Sequence, residues 1–165
     1  MFKSFCCLVI VSLSFALSSA SANLNFHPSF TASHKEASID DVIDRAHELL
    51  GTPYKWGGTS AEQGFDCSSL LVYLFKTQAN IRIPRTTTAM QRSTAATVTR
   101  NALQPGDAVF FKGNGSGQVS HVGLYIGEGK FIHSPRSGKN IRIDSLSNRY
   151  WNKHYTTAKR FHSAG

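Results

Sequence analysis

Cysteine is scarce in this sequence. Of 165 residues only three are cysteines, Cys6, Cys7 and Cys67, and the first two fall in an N-terminal apolar stretch. No C-x-x-C pair and no H-E-x-x-H element occurs, so the spacings that mark most zinc sites are missing. A zinc ion held by Cys67, His121 and His133 remains a minor alternative; neither a metal nor an organic cofactor is expected. Acidic residues are also few, 10 against 18 Lys and Arg, for a formal charge of +8. That balance suits an anionic partner such as the bacterial envelope. No basic helix, aromatic stacking repeat or zinc-finger spacing accompanies the charge, so nucleic acid is not expected as a partner. No internal repeat or low-complexity tract is found, and 41% hydrophobic with 17% charged residues is the composition of one globular domain.

Long apolar runs are absent as well. Phe5 to Leu17 is too short for a bilayer span, which needs about 20 residues. With Lys3 before it and the small residues Ala20, Ser21 and Ala22 after it, residues 1–22 have the form of a secretory signal. Residues 23–37 carry no period and are expected to be a linker or arm, leaving 38–165 as the domain of an exported, monomeric protein. Removal of the signal leaves Cys67 as a lone thiol, which cannot form an internal disulfide.

Ser38 with Asp41 forms a capping-box pattern ahead of the stripe Ile39, Val42, Ile43, Ala46, Leu49 and Leu50, which predicts a helix that Gly51 and Pro53 end. A second amphipathic stripe, Leu70, Leu71, Leu74 and Phe75, predicts a helix with Asp66 as its N-cap and Cys67 as its opening residue. From Asp107 onward the runs DAVFF, SHVGLYIG, KFIHSP, NIRID and HYTTAKRF read as strands separated by turn residues. Helices first and strands later predict an α+β fold with the helices on one face of an antiparallel sheet.

The reactive form of cysteine is the thiolate, and an ordinary pKa near ~8.5 leaves little of it at neutral pH. A position at a helix start is worth only about 0.3 to 1 kcal/mol, less than one pKa unit. A nearby imidazole is therefore required for an activated thiol. Two histidines stand out, His121 and His133, on either side of a turn at Gly127, Glu128 and Gly129. A three-residue loop places Ile126 opposite Lys130 and both histidines on one sheet face, about 7 to 8 Å apart by backbone; a two-residue loop places them on opposite faces. The first case permits a relay in which Cys67 is the nucleophile, His121 the base, and His133 the residue that orients His121. Gly123, on the same face, is expected to leave room for a helix end or substrate. The N–H of Cys67 is a candidate oxyanion donor, with Tyr54, Asp66, Ser68 and Arg85 as candidates for positioning the oxyanion or the substrate. Arg85 is equally readable as a surface ion-pairing residue, and Trp56 is expected in the core. His27, His34, His47, His154 and His162 are read as structural.

The segments GTPYKWGG (51–58), FDCSSL (65–70), IPRTT (83–87), LQPGDAVFF (103–111), HVGLYIG (121–127) and FIHSP (131–135), in this order, resemble the NlpC family of cell-wall cysteine peptidases, which have a papain-like α+β fold. The resemblance runs from about Ile39 to Phe161. It implies that Cys67, His121 and His133 correspond to the family's nucleophile, base and third polar residue, and Tyr54 to the tyrosine beside the thiol. It also implies a substrate, the peptidoglycan stem peptide, cut at a γ-D-glutamyl-diaminopimelate or D-alanyl-diaminopimelate bond in the periplasm or outside the cell. Ser69 departs from the family's usual glycine. A papain-like thioester acyltransferase and a non-catalytic wall-binding domain are the alternative functions.

Overall fold

A computed structural model describes residues 38–113 and 117–162. The signal and arm expected at 1–37, with Cys6, Cys7, His27 and His34, lie outside these residues. In chain order the elements are α1 (Ile39–Glu48), β1 (Thr59–Ser60), β2 (Gly64–Phe65), α2 (Cys67–Ala79), α3 (Thr87–Arg92), β3 (Ala96–Val98), β4 (Ala108–Lys112), β5 (Val119–Gly127), β6 (Lys130–His133), β7 (Arg142–Ser145), α4 (Arg149–His154) and β8 (Tyr155–Arg160). Among the described residues no helix is long and apolar enough to cross a membrane.

Both expected helices form where their caps direct. In α1, Ser38 and Asp41 exchange backbone and side-chain hydrogen bonds, and Val42 and Ala46 are buried. Leu50 lies past the end of the helix and is 39% exposed, so it leaves the expected stripe. In α2, Asp66 accepts from the Ser69 N–H at 2.7 Å, while Ser69 Oγ accepts from the Asp66 N–H at 2.8 Å. The expected stripe of Leu70, Leu71, Leu74 and Phe75 is wholly buried.

Six strands form one antiparallel sheet in the order β3-β8-β4-β5-β6-β7, and β1 pairs with β2 separately. Alternation along each strand sends side chains to two separate apolar clusters. Ala108, Phe110, Val122, Leu124 and Ile132 pack with α1, α2 and Met90 of α3. Val109, Phe111, Tyr125, Phe131 and Ala158 form the second cluster, against which Trp151 of α4 packs. Helices α1 and α2 thus cover one face as expected, and the short α4 adds a contact on the other that the sequence pattern does not announce. The reason is length: α3 and α4 have six residues each and β3 has three, too few to display a period.

A buried ion pair ties β8 to the turn before β4. Asp107 is fully buried and accepts from Arg160 Nε at 2.7 Å and Nη2 at 2.8 Å, and from the Gln104 N–H at 2.8 Å. Removing only this guanidinium leaves the buried carboxylate with just the Gln104 N–H and the nearby His162. Arg160→Ala is therefore expected to cost about 3 to 5 kcal/mol, measured as a lower midpoint in urea unfolding; a loss under about 1 kcal/mol contradicts this account.

Candidate functional site

Cys67 opens α2 at the floor of a cleft of about 610 Å³, lined by Tyr54, Trp56, Asp66, Ser68, Arg85, Thr87 and His121 among others. Its sulfur is 3.6 Å from Thr87 Oγ1, and the backbone N–H groups of Val122 and Ser68 lie close enough to favour its ionised form. The thiol therefore rests against β5 at the residue following His121.

The β5–β6 hairpin places the histidines in a way the sequence reading only half anticipates. It closes on two residues, Glu128 and Gly129, both at positive φ, with Gly127 facing Lys130. The expected three-residue loop does not form. A two-residue turn alone would separate the histidines onto opposite faces. A bulge at Ile126 reverses that, because pairing resumes with Tyr125 opposite Phe131 and Leu124 opposite Ile132. His121 and His133 thus share a face, and His121 Nε2 lies 2.8 Å from His133 Nδ1. Gly123 sits between them, but it leaves no room for substrate: a Cβ there would come within 2.6 Å of the Phe131 ring and 3.3 Å of His133 Cβ. Its lack of a side chain is what lets the ring and imidazole of β6 lie across β5.

Asp144 on β7, which the sequence reading does not single out, continues the line. His133 Nε2 is 2.8 Å from Asp144 Oδ2, and that oxygen also accepts from Arg142 Nη2 at 2.8 Å and Trp151 Nε1 at 3.0 Å. The Trp151 ring stacks on His121 and meets His133 edge-on. Ser134, fully buried, donates to the Phe65 carbonyl at 2.6 Å and so fastens the end of β6 to the segment that leads into Cys67.

On the other side of the thiol, Arg85 donates to Ser68 Oγ at 3.0 Å and pairs with Asp66 at 3.3 Å, while Ser68 Oγ donates to Asp66 at 2.9 Å and the Gly57 N–H to Asp66 at 3.1 Å. Burial opposes ionisation of Asp66, but the Ser69 N–H, the Ser68 hydroxyl and Arg85 outweigh it and hold the carboxyl below its usual range. Trp56, expected in the core, is instead 83% exposed on the rim of the cleft. A second groove, of about 580 Å³, shares Ser120, His121 and Pro135 with the first and is lined by Lys112, Arg136, Arg142 and Tyr150. His47 projects from α1, His154 Nδ1 lies 2.7 Å from the Tyr150 carbonyl, and His162 approaches Asp107; none of them lines the cleft.

Burial pushes the Cys67 thiol up, only partly offset by the bonds from Thr87 and the backbone of Val122. Burial, then the neighbouring His133, pushes the His121 imidazole down to about 3. Burial thus disfavours the charged form of either group on its own. For Asp144, burial is outweighed by the bonds from His133 and Arg142, and its carboxyl lies at about 2. A carboxyl lowered by folding stabilises the protein above its unfolded pKa, near ~4, and that contribution is lost as pH falls through the folded value. Asp144→Asn is therefore expected to lose about 2 kcal/mol at pH 7, and the difference from the natural chain should shrink between about pH 4 and pH 2. Denaturant unfolding at several pH values measures it; a difference independent of pH would remove the carboxylate as its source.

A thiol that opens a buried helix, packed against an antiparallel sheet bearing the histidines, is the arrangement of the papain-like α+β class. Within that class the chain belongs to the NlpC/P60 family, whose model matches residues 51–160. It is 48% identical over 120 residues to "Murein DD-endopeptidase MepH" of Escherichia coli, an alignment that covers 72% of this chain and 44% of that one. It is 35% identical to "Probable endopeptidase NlpC" of the same organism, over 94% of this chain and 98% of the relative. A crystal structure of an NlpC/P60 family protein from Bacillus cereus superposes with a TM-score of 0.70 at 38% identity, covering 75% of this chain and 40% of that one. The chain spans about half the length or less of several of the relatives it matches.

Asp144, Trp151, Thr87, Lys112 and Arg136 are the site residues that sequence reasoning misses. Asp144 lies two residues from Arg142, the partner of His133, and hence on the histidine face. Alternation would have found it had the β6–β7 register been known, but the connection from Ser134 to Ile141 is too long for turn type to fix that register.

Proposed function

We propose that this chain is an exported hydrolase of peptidoglycan stem peptides that works through a thioester on Cys67, with His121 as base and His133 orienting it. The observation that carries the reading is that Cys67 and His121 line one cleft, the sulfur meeting the N–H of the residue next to His121. The name of the relative MepH, a murein endopeptidase, supplies the substrate class. Sγ attacks the amide carbon as its proton passes to His121. The oxyanion then faces the Cys67 N–H at the start of α2, with the Tyr54 hydroxyl at the cleft wall as a second donor. Collapse expels the amine, which takes the proton back from His121. Water attacks the thioester, gives a proton to His121, and the released thiol recovers it, so each turnover consumes one water and frees one acid and one amine.

Arg85, Asp66 and Ser68 position the acyl part of the substrate. The leaving amine must lie against His121, and the groove beyond it carries Lys112, Arg136 and Arg142. Arg142 is paired with Asp144, but Lys112 and Arg136 suit a leaving group that bears a carboxylate, as diaminopimelate does, in either a γ-D-glutamyl-diaminopimelate or a D-alanyl-diaminopimelate bond. Residues 1–22 act as the signal, 23–37 as an arm and 38–165 as the catalytic domain, in the periplasm or outside the cell. Purified protein incubated with defined muropeptides and analysed by mass spectrometry tests the reading: new fragments differing by one water identify the bond, and an unchanged peptide profile across cross-linked and free stems overturns it.

A further inference from the structure

Two hydrogen bonds of 2.8 Å run in series from His121 Nε2 to His133 Nδ1 and from His133 Nε2 to Asp144 Oδ2. Each neutral imidazole has one donor nitrogen and one acceptor nitrogen, and an ionised carboxylate can only accept. If Asp144 takes the Nε2–H of His133, the Nδ1 of His133 is bare and must accept the Nε2–H of His121, which leaves the Nδ1 of His121 without a proton. If the carboxylate is absent, the opposite arrangement becomes available: His133 carries its proton on Nδ1, donates to His121, and the remaining proton of His121 sits on Nδ1, where it cannot receive another. We infer that Asp144 is a positioning residue that selects the tautomers of both histidines, so that His121 offers an unprotonated Nδ1 to Cys67.

This inference rests on the proposed role of His121 as base, and it assigns to β7 a part in the reaction that lies two rings away from the sulfur. The surroundings of Asp144 fit that part. Arg142, through Nε at 3.0 Å and Nη2 at 2.8 Å, and Trp151, through Nε1 at 3.0 Å, all donate to the oxygen that His133 uses. They keep the carboxylate ionised and aimed at the ring. Trp151 also covers both imidazoles, excluding water that could otherwise bridge them in either sense. When His121 takes the thiol proton, its Nε2–H still donates to His133, and the negative charge of Asp144 offsets the new positive charge. Phe131 and Phe111 wall the remainder of the pair and supply no competing donor.

The test is a readout of proton position. Long-range 1H–15N spectra of the full chain, labelled with 15N at histidine, should show both His121 and His133 as Nε2–H tautomers at pH 7. In Asp144→Ala the Nδ1–H form should appear in both rings together. Turnover should fall about 10- to 100-fold with KM changed less than twofold, as for other partners that orient a histidine. Asp144→Asn keeps an acceptor oxygen and should recover part of the loss. His133 protonated on Nδ1 in the natural chain overturns the inference regardless of any variant. So does a turnover loss in Asp144→Ala or Asp144→Asn with both tautomers unchanged, which would make Asp144 merely structural. If the natural chain cuts no murein at all, the proposed function fails while the spectra still decide the tautomers.

Discussion

Cys67→Ala is expected to lose stem-peptide cleavage by at least about 10⁴-fold while keeping the fold. A nucleophile is not a contributor that others can replace; without it only oxyanion binding and substrate positioning remain, and these leave a small residue of rate over water. The substitution spares what shapes the site. The N–H at the head of α2, the Asp66 cap and the Ser69 return bond belong to backbone and neighbouring side chains. Loss of one partly buried sulfur removes roughly 1 kcal/mol of apolar burial, too little to unfold a domain with this much buried apolar surface. Circular dichroism should be unchanged while mass spectrometry of digested muropeptides shows intact substrate. Retention of more than about 1% of the natural rate would remove Cys67 from the nucleophile's place.

The second large effect is at His121. General-base catalysis is worth about 10² to 10⁴ in rate, and here the dependence should be near the upper end because burial already pushes the thiol up. His121→Ala takes away the only acceptor proposed for its proton. Turnover should drop about 10³- to 10⁴-fold, and alkylation of Cys67 by iodoacetamide at pH 7 should slow by at least about tenfold, its rise moving to higher pH. Alkylation measures the thiol without any murein substrate, so it isolates proton transfer from binding. Equal alkylation rates in the natural and variant chains would mean that the thiol does not use this imidazole.

Much of this architecture is written in local patterns. The cap at Asp66 and the stripe from Leu70 to Phe75 place Cys67 at the head of its helix before any contact is known. The five strand runs appear where alternation and turn residues put them. The histidine pair is a different case: it is reached by a loop of the wrong length, and the geometry holds because the bulge at Ile126 adds back the residue that the tighter turn removes. Bulges leave little trace in sequence, since the extra residue keeps an ordinary side chain. Trp56 fails for another reason. Large aromatics are mostly buried on average, and only the position of the loop relative to the cleft sets this one at the rim. Asp144 and Trp151 are hidden by distance along the chain, because their meaning depends on which strand β7 pairs with and which face α4 covers.

The contact between the Cys67 sulfur and the Val122 N–H gives β5 a further significance. The peptide linking His121 to Val122 touches the electrophile-seeking atom at one end and carries the proton acceptor at the other. A shift of β5 along its length therefore carries the base and the N–H that meets the sulfur together.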